Sequence, residues 1–246
     1  MKWGDEFSIC GLMGMKQIKY IRRIYDSALR KSFDSPLITV LIGPRQTGKT
    51  TSVTRVLEGI QAERKCYINL DSSFERDRVK ANENYLQEKI EETLGFRMDS
   101  LRERFYVVID EAQKLPLIFE SLKILYDKYG RYLKMVISGS SSLELLDKTS
   151  ETLAGRVQIL RIYPFSMSEA SLYQEMGSLE SADTLYQSLF AGSLNPKRLA
   201  EFIREHKPRS RKKMELIDKL LTRSLFPPTF SRVEEDAIPR WLIDYI

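Results

Sequence analysis

The residues Gly43-Pro44-Arg45-Gln46-Thr47-Gly48-Lys49-Thr50 fit the spacing Gly-x-x-x-x-Gly-Lys-Ser/Thr without a mismatch, and Thr51 extends the run. Residues of these types at this spacing predict triphosphate binding. Gly43 and Gly48 permit a tight turn and bring backbone N–H groups onto phosphate oxygens, an approach that a Cβ would obstruct. Lys49 is a mobile positive charge for the β- and γ-phosphates. The Thr50 hydroxyl is a ligand type suited to Mg²⁺. A helix starting here aims its partial positive charge at the same phosphates. The loop from Gly43 to Thr51 is therefore the expected site for ATP with Mg²⁺. A guanine nucleotide is disfavoured, because no Asn-Lys-x-Asp segment is present.

A second constellation is Tyr106-Val107-Val108-Ile109-Asp110-Glu111, an apolar strand ending in two carboxylates. Beside a phosphate loop, the first acid, Asp110, holds Mg²⁺, and the second, Glu111, polarises the attacking water as a general base. The adjacent Glu favours a hydrolase over a metabolite kinase. Three further features are weaker. In Val136-Ile137-Ser138-Gly139-Ser140-Ser141-Ser142, Ser138 is the candidate for orienting the lytic water and Ser140 the reserve; the alternative is a Ser/Gly loop that caps a helix at Leu143. Arg156, in Leu153-Ala154-Gly155-Arg156, could act as an arginine finger on the γ-phosphate, which from a neighbouring subunit would require a homo-oligomer; the alternative is a surface or salt-bridging arginine. Asn69-Leu70-Asp71 ends a strand on the ligand side or caps the next helix.

These residues need a scaffold, and the hydrophobic pattern supplies one. Leu37 to Ile42 is a near-continuous apolar run, as a strand buried on both faces requires. Further runs at Cys66–Leu70, Phe105–Ile109 and Leu133–Ile137 read as strands, and the alternating Val157–Ile162 as an edge strand. Helical periods fall at Ile18–Arg30, ended by Ser35-Pro36, and at 50–60, 84–95 and 117–129. This alternation predicts an α/β sandwich with a mostly parallel sheet. After Pro164 only helical periods remain, broken by Gly192, Pro196, Pro208 and Pro227-Pro228. Residues 1–15 read as an N-terminal extension, 16–164 as the core and 165–246 as a helical, lid-like region. The amphipathic Trp241–Ile246 stops in mid-pattern, the expected look of a truncated piece.

The 246 residues carry 42% hydrophobic and 30% charged side chains, which excludes a wholly disordered chain. No stretch approaches the ~18 apolar residues of a membrane span, and no signal peptide is visible, with Asp5 and Glu6 where an apolar run should begin. A cytoplasmic protein is expected. Cys10 and Cys66 make no disulfide framework, and a lone histidine, His206, argues against a His-based metal site. The net charge of +5 and the basic run Arg204, Lys207, Arg209, Arg211, Lys212 and Lys213 give a candidate nucleic-acid contact; a solvated face is the plainer reading.

The segments 43–51, Tyr-Ile-Asn-Leu-Asp (67–71), Ile-Asp-Glu-Ala-Gln-Lys (109–114), Ser-Gly-Ser-Ser (138–141), Leu-Ala-Gly-Arg (153–156) and Tyr-Pro-Phe-Ser-Met-Ser-Glu (163–169) occur in one order and spacing. Together they resemble the prokaryotic AAA-type ATPases often followed by a C-terminal domain of unknown function, over residues 16–170. The resemblance implies a P-loop NTPase three-layer α/β/α core with a mostly parallel five-stranded sheet, then a smaller helical region. It implies that the acid strand is separated from the loop strand by the sensor strand. It also implies ATP binding and hydrolysis to ADP and phosphate that drives a conformational change, with Arg156 at the finger position. Relatives usually read Arg-Gly-Gly-Phe-Pro where this chain has Arg223-Ser224-Leu225-Phe226-Pro227. The alternative function is a nucleotide-dependent binding module for DNA or a protein partner.

Overall fold

A computed structural model describes residues 20–140, 145, 147, 149, 151–166, 169–170, 225–231, 233 and 237–245. Its elements are α1 (Asp26–Asp34), β1 (Ile38–Ile42), α2 (Lys49–Glu58), β2 (Lys65–Asn69), α3 (Ser73–Ala81), α4 (Tyr85–Leu94), β3 (Phe105–Asp110), α5 (Ile118–Tyr129), β4 (Leu133–Gly139) and β5 (Val157–Arg161). Two helical segments, Pro228–Ser231 and Ile238–Tyr245, come later. The N-terminal extension with Cys10, the basic run 204–213 with His206, and most of the expected helical region lie outside the described residues.

The five strands form one sheet in the order β2-β3-β4-β1-β5, and every pairing is parallel. The acid strand β3 is thus separated from the loop strand β1 by β4, and the alternating β5 is an edge strand. Period-two alternation sorts side chains to the two faces. Ile38, Val40 and Ile42 of β1, with Phe105, Val107 and Ile109 of β3, pack in one cluster with Leu86 and Ile90 of α4 and Phe119, Leu122 and Leu125 of α5. Leu41, Val108 and Val136 pack in a second cluster with Leu29 and Phe33 of α1 and Val53 and Leu57 of α2. Helices on both faces of a parallel sheet make three layers and cover every central strand. Lys134 departs from the apolar pattern: it is fully buried on β4 and donates to the Leu37 carbonyl and to Thr39 Oγ1.

Parallel register brings the strand ends to one edge. Ile42 pairs with Gly139, Ile109 with Ile137, and Asn69 with Asp110. From β2 to β4 the chain steps across the sheet one strand at a time, whereas β4 to β5 passes over β1. The reversal leaves a crevice at the carboxyl ends of β1 and β4, where parallel sheets take ligands.

The chain divides into two compact units, Tyr25–Tyr163 and Met1–Ile24 with Pro164–Ile246. The helix expected from Ile18 begins instead at Asp26. Residues 20–25 are not helical: the Ile24 N–H donates to Glu169 Oε1 at 2.7 Å, and the buried Arg23 guanidinium donates to the same oxygen at 3.0 Å. That carboxylate takes the backbone donor a helix would have used. In the same unit Phe165 and Phe230 meet edge to face at 5.5 Å, with Ile21 and Leu225 against them. Ser35 ends α1 in an extended conformation, as the following proline requires. Helix α3 has no counterpart in the apolar pattern, because Val79 is its one buried apolar residue.

Candidate active site

Strand β1 runs out at Ile42 and the phosphate loop begins. The Ile162 N–H donates to the Ile42 carbonyl at 2.7 Å, and a Cβ on Gly43 would lie 2.0 Å from the Ile162 carbonyl oxygen. Gly43 is therefore required by the backbone leaving β5, a different reason from the phosphate approach expected of it. Gln46 (φ 60°) and Gly48 (φ 92°) adopt left-handed conformations on either side of Thr47. Such alternation turns successive N–H groups toward one concavity, an anion nest, at the start of α2. Thr47 is fully buried and donates to the Pro44 carbonyl at 2.9 Å, bracing the turn.

Lys49 is 5% exposed and curls into the loop, donating to the carbonyls of Gly43 at 2.8 Å and Pro44 at 2.7 Å. Burial lowers its pKa, while Glu111 and Asp110 oppose the shift. A cleft of about 400 Å³ opens over the loop. Arg45, Gln46, Gly48, Lys49, Thr50 and Thr51 contribute to it, and Asp71, Glu111 and Lys114 reach it from the ends of β2 and β3. Lys114 is ion-paired with Asp71 there.

Asp110 is nearly buried and is held through both oxygens. Its Oδ1 accepts from the Ser138 hydroxyl and from the Glu111 N–H at 3.1 Å. Its Oδ2 accepts from Thr50 Oγ1 at 2.7 Å and from Tyr67 Oη at 2.6 Å. Burial, followed by the bond to Asp110, raises the Tyr67 pKa and keeps the phenol protonated. Glu111 follows in the left-handed region (φ 56°), and its Oε2 accepts from Gln113 Nε2 at 2.6 Å and Ser140 Oγ at 3.0 Å.

The structure thus brings together the loop, Asp110 and Glu111. It places Ser138 differently from the water-orienting role expected: this hydroxyl is 1% exposed and committed to Asp110, behind the cleft. Ser140, two residues further and just past the end of β4, is the serine beside Glu111, and its hydroxyl donates to Glu111 Oε2 at 3.0 Å. Arg156 is not brought to the loop of its own chain. Its carbonyl accepts from Ile38 N at 2.8 Å, at the edge where β1 and β5 begin. A strand of this length, ~16 Å, separates that edge from the phosphate loop. The guanidinium donates twice to Asp127, at 2.7 and 3.0 Å, and each partner stabilises the other's charged form. Tyr67 and Gln113 were missed as site residues in the sequence; both lie inside motif segments, but only the register shows what they touch.

The donor set fits Mg²⁺. The Thr50 hydroxyl and Asp110 Oδ2 already meet, and both are hard oxygen ligands. Among the described residues no group of three or more His, Cys, Asp or Glu forms a metal cluster, so phosphates and water would complete the shell, as is usual for this ion. The nest over Lys49 and the cationic Arg45 and Lys114 suit a polyphosphate.

The chain is similar to several known proteins. It is 30% identical over 141 residues to an uncharacterized protein of Mycobacterium bovis, covering 57% of this chain and 28% of that one. It is 27% identical over 185 residues to an uncharacterized protein of Haemophilus influenzae, covering 72% and 43%. It therefore spans less than half the length of these relatives. Among solved structures it is similar to the Walker-type ATPase of Pyrococcus abyssi, at 16% identity and a TM-score of 0.43 over 73% of this chain and 61% of that one. It is also similar to PCH-2 of C. elegans, at 14% identity and a TM-score of 0.46 over 88% and 58%. No helix among the described residues is long and apolar enough to cross a membrane. A family model described as an AAA domain matches residues 35–171, more than half of the chain and the stretch that carries the loop, both acids and the parallel sheet: the chain belongs to the AAA domain family.

Proposed function

We propose that this chain hydrolyses ATP to ADP and phosphate in a Mg²⁺-dependent reaction and couples the change to a shape change. The observation that carries the reading is that Thr50 Oγ1 lies 2.7 Å from Asp110 Oδ2, with Glu111 on the same cleft as Lys49. The loop N–H groups of Arg45–Thr51 bind the phosphates. Lys49 leaves the Gly43 and Pro44 carbonyls for the β- and γ-phosphates, a short swing of a flexible stem. Thr50 and Asp110 hold the metal. Bound there, Mg²⁺ supplies charge neutralisation for the β- and γ-phosphate oxygens. Glu111 takes a proton from the attacking water through Oε1 as the water oxygen bonds to the γ-phosphorus and the bond to ADP breaks. Arg156 serves the site of a neighbouring subunit, since its own loop lies at the opposite edge of the sheet.

The test is a pair of substitutions. Lys49→Ala should abolish ATP binding. Glu111→Gln should keep ATP bound and slow turnover roughly a hundredfold or more. Turnover by Glu111→Gln at the wild-type rate would remove Glu111 as the base.

A further inference from the structure

The residue that follows the acid pair by two positions is Gln113, on a short 3₁₀ turn, Ala112–Lys114. Its amide nitrogen donates to Glu111 Oε2 at 2.6 Å and to Ser140 Oγ at 3.1 Å. The Ser140 hydroxyl donates to the same Glu111 oxygen at 3.0 Å. An ionised carboxylate only accepts, so the nitrogen end of the amide has to face it. This sends the amide oxygen inward, where it is buried without a hydrogen-bond partner among the described residues. It rests over Gly139: a Cβ there would lie 2.4 Å from Gln113 Oε1 and 2.9 Å from Leu145 Cδ2. The tripeptide Ser138-Gly139-Ser140 therefore docks on the acid turn, with Ser138 on Asp110, Gly139 beneath Gln113, and Ser140 on Glu111.

A glutamine placed for stability alone would have both ends satisfied, because an unpaired buried carbonyl is costly. Here, among the described residues, the amide leaves one end unpaired and gives the other to the acid. We infer that Gln113 and Ser140 are positioning residues that pin Oε2 of Glu111 and leave Oε1 facing the cleft for the attacking water. The inference rests on the reading of Glu111 as the base. The left-handed backbone at Glu111 (φ 56°) is part of the same arrangement, since it fixes where the side chain leaves the strand.

The experiment is a double-mutant cycle on the full chain with Gln113→Met, which keeps the length and removes the amide, and Glu111→Gln. ADP affinity by calorimetry and melting temperature are measured beside ATP turnover. Gln113→Met should lower kcat roughly ten- to a hundredfold, the effect of misplacing a reacting group, with ADP affinity and melting temperature unchanged. In the Glu111→Gln background it should cause no further loss, because it acts through that carboxylate. Unchanged or raised kcat, or two losses that multiply, would overturn the inference. Should Gln113→Met fail to fold, Ser140→Ala carries the same cycle with the same outcomes. Absence of wild-type turnover would remove the base reading and this inference with it. Turnover lost in Glu111→Gln but indifferent to Gln113→Met would overturn this inference alone.

Discussion

Tyr67, on the edge strand β2, donates its phenol to Oδ2 of Asp110 at 2.6 Å, the oxygen that also receives the Thr50 hydroxyl. Two donors on one carboxylate oxygen fix its direction. The partners of a metal-binding carboxylate tune it nearly as strongly as the ligands themselves.

Tyr67→Phe should therefore leave ATP affinity unchanged and weaken the apparent affinity for Mg²⁺ about tenfold. Titrating Mg²⁺ against turnover reads this directly. An unchanged Mg²⁺ midpoint would show that Thr50, Ser138 and the Glu111 N–H orient Asp110 without Tyr67.

Gly43→Ala should destabilise the fold by about 3 kcal/mol, because the added Cβ meets a backbone oxygen that cannot rotate away. Urea denaturation measures it. A variant as stable as the wild type would mean that the β1 and β5 ends separate without cost.

Lys134 gives a pH dependence. Burial first, and then the nearby Arg104, lower its pKa to about 7 from the ordinary lysine value of 10.5. Between these values the unfolded chain binds a proton that the folded chain does not, so stability rises with pH from about 7 to 10.5. The gain is on the order of 5 kcal/mol, and Lys134→Met should remove this rise. Equal pH slopes for variant and wild type in urea denaturation would contradict it.

Arg156→Ala should fold normally, since the guanidinium sits on the surface with Asp127. Alone it should turn over poorly, and so should Lys49→Ala. Mixed, the two should recover activity, because a Lys49→Ala subunit lends Arg156 to the intact loop of the other. A mixture as inactive as its components would remove the shared site.

The parts legible in the sequence are those fixed by local chemistry or full burial. The phosphate loop has a spacing with few alternatives, and β1, β3 and β4 are apolar because helices cover both faces. Helix α3 was not legible by periodicity because one buried residue carries no period. Its signal was instead the Ser72-x-x-Glu75 cap, in which Ser72 Oγ accepts from Glu75 N at 3.4 Å. The start of α1 was misread because Ile21 is apolar for another reason, its contact with the Phe165 cluster. Tyr67 and Gln113 depend on register and on a turn, and neither can be counted off a single segment. Ser138 and Ser140 share one parity, and what separates them is where β4 ends: Ser138 lies within the strand, bonded to Asp110, and Ser140 just beyond it, bonded to Glu111.

The central claim is hydrolysis of ATP, and phosphate release by the wild-type chain tests it most directly. It should be followed with Mg²⁺ and with chelator, over a range of protein concentrations. The account predicts saturable release that requires Mg²⁺ and whose rate per chain rises with protein concentration, as Arg156 joins a neighbour's site. ATP that binds but is not hydrolysed at any protein concentration would contradict it.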